Sequence, residues 1–267
     1  MTDPRHSPIG VFDSGLGGLT VLRALKQALP FENYLYLGDV ARLPYGSKSQ
    51  NVVQEYAQQC VDFLVPQPVK AVVIACNTAS AMALGGLEVP RDLPVFGVVS
   101  PGALAGVAVR PRRVLVMATH STVKSEAYLK SFAALDPALE VEQLACPLLV
   151  PLAEEGWFDH PVTEQVISHY FSGVDLSRFD AIVLGCTHFP LLEPSLRKVI
   201  PPQIAIVHGG GVLAEQVRGV LQSKNLLNPS TEAGRVRLWT TDRVSPSLPL
   251  FTDWVGQIDE TRVVHLR

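Results

Sequence analysis

Two segments of the sequence repeat one pattern and constrain the fold more than any other feature. The segments "VVIACNTAS" (72–80) and "IVLGCTHFP" (182–190) each run from apolar residues through a small residue to a cysteine, and then to threonine and other polar residues. A short apolar run predicts a buried strand, and the polar residues after it predict a loop leading into a helix. We therefore expect Cys76 and Cys186 to lie at the carboxyl ends of two strands.

The rest of the chain supports an α/β fold. Short runs rich in β-branched residues alternate with longer amphipathic stretches, which is typical of repeated β–α units and a parallel sheet. "LPVFGVVSPG" (93–102) is predicted as a fourth strand followed by a turn, and the plan restarts near position 112 with "RRVLVMATH". We predict two pseudo-symmetric doubly wound α/β domains with mainly parallel sheets, formed by residues 1–98 plus 209–267 and by residues 99–208.

Composition limits the classes of partner. The chain has 267 residues, of which 47% are hydrophobic and 18% charged, and its formal net charge is −3. A slightly acidic chain without long basic runs gives no electrostatic reason to expect nucleic acid. No apolar run is long enough for a membrane span or a signal peptide, so the sequence predicts a cytoplasmic protein without a membrane partner.

The cysteines and histidines do not form a disulfide framework or a metal site. Four cysteines in a chain of this length favour free thiols, and Cys60 and Cys146 are interpreted as small buried apolar groups. No pair of closely spaced cysteines is present, so no metal site is predicted. The remaining candidates for metal or catalytic chemistry are interpreted as surface or satisfied core histidines; they are His120, His160, His169 and His208.

Paired thiols at equivalent positions favour a reaction with two mirror-related faces. Ligands of doubly wound sheets bind beyond the carboxyl ends of the strands, so two facing domains would bring Cys76 and Cys186 to one cleft. Racemisation at an α-carbon needs a base on one face and an acid on the other, and thiolate and thiol can exchange these roles. We expect the helix starts after each cysteine to favour the thiolate, and Asp13 and His188 to assist proton transfer.

Polar loops near the two cysteines supply groups for an amino-acid substrate. Asn77 and Thr78 follow the first cysteine, and Thr187 and His188 follow the second; both pairs are candidates for binding a carboxylate. The other candidates lie on loops of the two halves and comprise Asp13 and Ser14 for an ammonium group, the corner Pro44, Tyr45 and Gly46, and the hydroxyls of Thr119 and Thr122.

An ordered set of motifs over residues 9–245 resembles the cofactor-independent glutamate racemases of bacterial cell-wall synthesis. These motifs are "GVFDSGLGGLTVL", "LGDVARLPYGSKS", "ACNTASA", "PLAEEG" and "GCTHFPLL". The resemblance implies an active site between two α/β domains, Cys76 and Cys186 as the acid and base, and Asp13, His188 and Glu154 as assisting groups. It also implies that L-glutamate and D-glutamate are interconverted for peptidoglycan without pyridoxal phosphate or another cofactor.

The sequence departs from that family at one place. In many members the last strand of the second unit is followed by a sequence similar to Asp-Ser and a small residue. This chain instead has His208 followed by three glycines, 209–211. The catalytic motifs themselves are intact.

Other functions and properties stay open at this point. A cysteine hydrolase would use Cys186 as nucleophile and His188 as base but would not need Cys76. A non-catalytic amino-acid-binding protein would keep the polar loops but would not need paired thiols. Nucleotide binding at "DSGLGG" (13–18) is disfavoured, because the glycine spacing and the missing lysine match neither common phosphate motif. Within the racemase interpretation, aspartate is the alternative substrate to glutamate. The sequence is also compatible with a homodimer.

Overall fold

The protein contains two parallel β-sheets. The computed structural model describes residues 3–243 and 248–266. The strands of this part of the chain are β1 (Ile9–Asp13), β2 (Tyr34–Gly38), β3 (Ala71–Ile74), β4 (Val95–Gly97), β5 (Arg113–Ala118), β6 (Glu140–Ala145), β7 (Ala181–Gly185), β8 (Ala205–Val207), β9 (Val236–Thr240) and β10 (Glu260–Val263).

Four strands of the first sheet have the same order as the four strands of the second. The first sheet has the order β10-β9-β2-β1-β3-β4 and the second has the order β6-β5-β7-β8, with parallel pairing throughout both. The series β2-β1-β3-β4 thus has the same order as β6-β5-β7-β8. This confirms the predicted pair of pseudo-symmetric doubly wound units, with β9 and β10 added to the edge of the first sheet.

Helices connect the strands and cover the sheets. They are α1 (Leu19–Ala28), α2 (Gln50–Leu64), α3 (Asn77–Met82), α4 (Val99–Ala108), α5 (His120–Ser125), α6 (Ala127–Leu135), α7 (Leu149–Glu154), α8 (Pro161–Phe171), α9 (Glu193–Val199), α10 (Gly210–Ser223) and α11 (Leu248–Val255). In α2 the buried residues Val53, Ala57, Cys60 and Leu64 recur at spacings of three and four, which places them on one face of the helix. None of the helices in the described ranges is both long and apolar enough to cross a membrane.

The expected turn after the fourth strand is wrong. The strand β4 ends at Gly97, and Val99–Ala108 forms helix α4. Pro101 lies in the first turn, where a missing N–H costs no intrahelical hydrogen bond. The small buried residues Gly102 and Ala103 allow this apolar helix to pack closely, and such a helix lacks the polar face that would have revealed it in the sequence. The helix α7 and the strand β10 were also not predicted.

The connection from the second sheet back to the first explains one of the three glycines after His208. The backbone of Gly209 lies against α4, and a Cβ atom at this position would be 2.5 Å from the amide nitrogen of Gly102. No side chain fits where these two connections meet. Since both connections lie close to the predicted boundaries at residues 98 and 208, we propose that the domains divide there.

Candidate active site

A cavity lies where the carboxyl ends of the two sheets face each other. It is lined by residues that follow β1, β2 and β3 in one sheet and β5 and β7 in the other, together with one residue of α7: Ser14, Leu43, Pro44, Tyr45, Gly46, Cys76, Asn77, Thr78, Thr119, Val150, Cys186, Thr187 and His188. In both sheets the cysteine follows the third strand of the unit, which is paired with the first. The repeated local sequence therefore brings both thiols to one cavity.

Eleven of the fourteen predicted site residues line this cavity. The three exceptions are Asp13, Thr122 and Glu154, which lie behind the lining and contact it through hydrogen bonds. The lining also includes Leu43 and Val150, which the sequence analysis missed because an apolar residue in a loop or helix carries no chemical signal. None of the lining side chains is a lysine or arginine, and both ring nitrogens of His188 contact Cys186 and Glu154. Hydroxyl, amide and backbone N–H groups are therefore the donors available to an anionic ligand.

Cys76 is a buried thiol held next to the first loop. It occupies the position before α3, is 5% exposed, and its Sγ donates to the Ser14 Oγ at 3.5 Å. Burial, followed by the nearby Asp13 carboxylate, raises the pKa of Cys76 to about 12, although the hydrogen bonds with Ser14 and with the Ala79 N–H oppose the shift. The helix start therefore favours the thiolate as expected, but desolvation outweighs the amides of this six-residue helix, and the expected net lowering of the pKa of Cys76 is wrong.

Cys186 lies on the other side of the cavity from Cys76, in a row of titratable groups that continues with His188 and Glu154. Its Sγ is 3.8 Å from the Nδ1 of His188, and the Nε2 of that histidine donates to the Oε1 of Glu154 at 2.5 Å. Burial lowers the pKa of His188, but the hydrogen bonds with Cys186 and Glu154 outweigh it and hold the pKa well above its ordinary value. The imidazole is therefore kept positively charged beside the sulfur at neutral pH.

Asp13 connects the two halves of the site through hydrogen bonds. Its carboxylate is fully buried, with Oδ2 accepting from the Gly15 N–H at 3.0 Å and Oδ1 accepting from the Thr187 hydroxyl at 3.4 Å. Burial raises the pKa of Asp13, and the nearby His188 and the Gly15 amide oppose this rise. Asp13 thus affects both cysteines: it raises the pKa of Cys76 directly and attracts the charged imidazole next to Cys186.

The glycines of "DSGLGG" make room for this arrangement. A Cβ atom at Gly17 would lie 2.5 Å from the Nδ1 of His188 and 2.7 Å from the hydroxyl of Thr187. The loop after β1 therefore packs directly on the loop after β7. This close approach explains the glycine-rich sequence without a bound nucleotide.

Three threonine hydroxyls form a triangle at one side of the cavity. The Oγ1 atoms of Thr78, Thr119 and Thr122 lie 3.0–3.1 Å from one another, with the first from the sheet that holds Cys76 and the other two from the facing sheet. Next to them, the Tyr128 hydroxyl of α6 donates to the Oδ1 of Asn77 at 2.7 Å and fixes the orientation of that amide. The sequence analysis missed Tyr128, because nothing near it in the sequence indicates its partner.

Tyr45 lines the cavity, but its hydroxyl has a partner within the protein. The hydroxyl donates to the buried carboxylate of Asp39 and lies 3.9 Å from the Sγ of Cys60. The predicted corner formed by Pro44, Tyr45 and Gly46 is therefore present at the cavity, but Asp39 was missed.

The other cysteines and histidines occupy the places expected for them. Cys60 and Cys146 are fully buried and unpaired by disulfides. His120, His169 and His208 are exposed, and His160 accepts a hydrogen bond from the Val162 N–H at the start of α8. Among residues 3–243 and 248–266, no group of three or more histidine, cysteine, aspartate or glutamate side chains is arranged to hold a metal ion.

The contact between Glu154 and His188 predicts a pH-dependent stability. Because the folded protein raises the pKa of His188, the stabilisation is fully present below the unfolded pKa of about 6.5 and is lost as the pH rises through the folded pKa. We expect Glu154→Gln to lower the free energy of unfolding by about 1–3 kcal/mol near pH 6 and by less near pH 9. Urea unfolding across this range checks it, with Glu155→Gln, an exposed neighbour, as control. A loss that grows with pH would contradict the prediction.

Comparisons with known proteins identify one enzyme family. The family model for Asp/Glu/Hydantoin racemase matches residues 9–217. A glutamate racemase of Syntrophus aciditrophicus is 45% identical over 255 residues, which cover 95% of this chain and 93% of that protein.

Two solved structures share the fold over nearly the whole chain. A glutamate racemase of Francisella tularensis in complex with D-glutamate has a TM-score of 0.89 and 33% identity, covering 97% of this chain and 98% of its own. The Escherichia coli glutamate racemase in complex with L-glutamate and the activator UDP-MurNAc-Ala has a TM-score of 0.79 and 28% identity, covering 98% and 99%.

Proposed function

The chain belongs to the Asp/Glu/hydantoin racemase family and is an isomerase that acts on glutamate; we propose that it interconverts the two enantiomers by moving the α-proton between Cys76 and Cys186. The observation that carries this mechanism is the pair of thiols on opposite sheets that line a single cavity. The proposal includes the family's role for D-glutamate, the supply of peptidoglycan precursors. It also includes the cytoplasm as the place of action.

The substrate is held by donors that carry no permanent charge. We assign the glutamate carboxylates to Asn77, the threonine hydroxyls of the cavity and the backbone around Gly46, because these groups can satisfy several carboxylate oxygens at once. Ser14 and the negative charge of Asp13 behind it favour the ammonium group. These contacts orient the α-carbon between the two sulfur atoms, and this orientation is a large part of the catalytic effect.

Proton transfer begins from unlike states of the two thiols. With a pKa raised to about 12, Cys76 is a thiol at neutral pH and is the acid. The thiolate of Cys186 takes the α-proton, the C–H bonding electrons remain on the α-carbon and its carboxylate, and the Cys76 thiol donates its proton to the opposite face. The configuration is inverted, and the two sulfurs have exchanged thiolate and thiol.

The reverse direction requires Cys76 as the thiolate. A substrate ammonium group near Asp13 and Ser14 brings a positive charge close to Cys76, and a nearby positive charge lowers the pKa of a thiol. His188 is the corresponding positive group for Cys186, and Glu154 holds it in position. The two halves thus use different groups to stabilise a thiolate: the substrate in the first and the protein in the second.

The alternative functions are less well supported by the same geometry. A cysteine hydrolase would use Cys186 and His188 but gives no reason for a second buried thiol in the cavity. A binding protein likewise has no need for either thiol. Aspartate would leave part of the donor set unused, because it is shorter than glutamate by one methylene. Dimer formation stays a prediction.

A solvent-isotope experiment tests the two-thiol mechanism. Purified protein is incubated in D2O with L-glutamate, a reducing agent and no added cofactor, and racemisation is followed by circular dichroism. We expect the optical signal to decay, with deuterium appearing in D-glutamate from the start while the remaining L-glutamate stays protonated, because the acceptor thiol shields the removed proton and the donor thiol is deuterated. Early deuterium in the remaining L-glutamate at the same rate would indicate a single base. A constant signal with glutamate and decay with aspartate would reassign the substrate.

A further inference from the structure

The Asp39 side chain contacts its own loop and one distant segment of the chain, which ends β9. It directly follows β2, and its carboxylate is fully buried. The Oδ2 atom accepts from the hydroxyl of Tyr45 and from the Nε of Arg42, the latter at 2.6 Å. The Oδ1 atom accepts from the hydroxyl of Thr241, at the end of β9, at 2.9 Å. Both carboxylate oxygens are thereby used within the protein.

The backbone of Asp39 contacts the loop that follows β1. The Asp39 N–H donates to the Asp13 carbonyl oxygen at 2.9 Å, and the Thr241 N–H donates to the Gly38 carbonyl oxygen at 3.0 Å. The Thr241 hydroxyl also accepts from the Ala41 N–H at 3.0 Å. One buried residue therefore joins the loop after β1 to the segment that contributes the corner at Pro44–Gly46.

Tyr45 connects the Asp39 carboxylate to the cavity wall. Its ring packs on Phe12 and Tyr56, with ring centroids 6.3 and 5.6 Å away, and the residue is 1% exposed. The hydroxyl donates to the carboxylate, and Tyr45 lines the cavity together with its neighbours Pro44 and Gly46. A hydrogen bond to a buried carboxylate is among the stronger ones, and loss of its donor leaves part of a buried charge unpaired.

From these contacts we propose that Asp39 and Thr241 are positioning residues, which act through Tyr45 to fix the loop 44–46 against the substrate. The inference rests on the proposed function, since it takes the substrate of this loop to be glutamate. Neither residue touches the cavity contents. Thr241 belongs to the part of the chain that returns to the first sheet after the second is complete, and this contact gives that part a role at the site.

The kinetic test separates positioning from stability. A loop that binds the ground state and the transition state alike affects KM more than kcat. We expect Tyr45→Phe to raise KM for glutamate by about 5–20-fold with kcat changed by less than about threefold, and Asp39→Asn to have the larger effect. Thr241→Val should raise KM in the same direction, and Thr241→Ser, which keeps the hydroxyl, should restore it.

Tyr34→Phe is the matched control. Tyr34 is equally buried, and its hydroxyl donates to the Leu29 carbonyl oxygen at 2.8 Å, near the opposite end of the same sheet. The control should lose thermal stability while keeping its KM. Unchanged KM in Tyr45→Phe and Thr241→Val, with lowered melting temperatures, would overturn the inference. These two variants decide the matter even where Asp39→Asn does not fold.

A second measurement does not depend on the substrate. We expect amide hydrogen exchange in the peptide covering 40–48 to be faster in Tyr45→Phe and Thr241→Val than in the wild type, and unchanged in Tyr34→Phe. Equal exchange in all four proteins would overturn the positioning role. A wild-type protein that does not racemise glutamate would instead refute the proposed function, and the exchange result would still decide the inference.

Discussion

Replacement of Cys76 or Cys186 by serine is expected to lower kcat for glutamate racemisation by about 10³-fold or more, which is within the range for loss of a general acid or base. A serine hydroxyl fills almost the same volume as a thiol but is a much weaker acid. Each sulfur is buried in the cavity wall, so water does not readily replace it as the proton donor or acceptor. Because the enantiomers have equal free energies in achiral solution, kcat/KM should fall equally in both directions.

Cys146→Ser is the matched control for both variants. Cys146 is fully buried at the end of β6, its thiol lies 3.7 Å from the Leu144 carbonyl oxygen, and it does not line the cavity. A hydroxyl can make the same contact, so this variant should keep its kcat.

Exchange of the substrate α-hydrogen with solvent, measured in the two serine variants, tests which thiol acts on which enantiomer. Each serine variant keeps one thiol on one face of the substrate, so slow exchange should remain for one enantiomer only, and for opposite enantiomers in the two variants. Exchange of the same enantiomer in both variants, or full activity in either, would sink the two-base mechanism.

The second large effect is expected for His188→Asn, which should lower kcat by about 10²-fold and change KM much less. The imidazole is 3.8 Å from the Cys186 sulfur and is kept protonated by its contacts with Cys186 and Glu154. Asparagine occupies a similar position but carries no charge and cannot exchange a proton. The variant therefore loses the positive partner of the Cys186 thiolate, while the substrate donors on the other loops remain.

The matching control is His169→Asn, since His169 is exposed on α8, away from the cavity. Steady-state kinetics in both directions, with the dependence of kcat on pH, measure the effect. We expect the His188→Asn profile to change in shape, because a titrating group next to the base has been removed. An unchanged turnover rate, or a rise in KM with constant kcat, would show that His188 acts only in binding.

The sequence was sufficient for the parts of the site that depend on local order. A cysteine directly after a buried strand of a parallel sheet must lie at its carboxyl edge, so the repeated pattern located Cys76 and Cys186 without any tertiary information. The glycine-rich loop and the corner at 44–46 were located for the same reason. Helix α4 was missed because a fully apolar helix shows no amphipathic period, and its strand-like start followed directly on β4.

Only the tertiary structure decided the contacts between residues far apart in the chain and the proton affinities that follow from them. Tyr128 and Asn77 are paired across the two halves, Asp39 and Thr241 by the neighbouring strands β2 and β9 of one sheet, and Glu154 and His188 by α7 and the loop after β7. No spacing in the sequence indicates these pairs. The raised pKa of Cys76 has the same origin, because it depends on the water that the facing half excludes and on the buried charge of Asp13. Local sequence determines which groups reach the edge of a sheet, whereas desolvation and hydrogen-bond partners are set by the packing of elements that are distant in the chain.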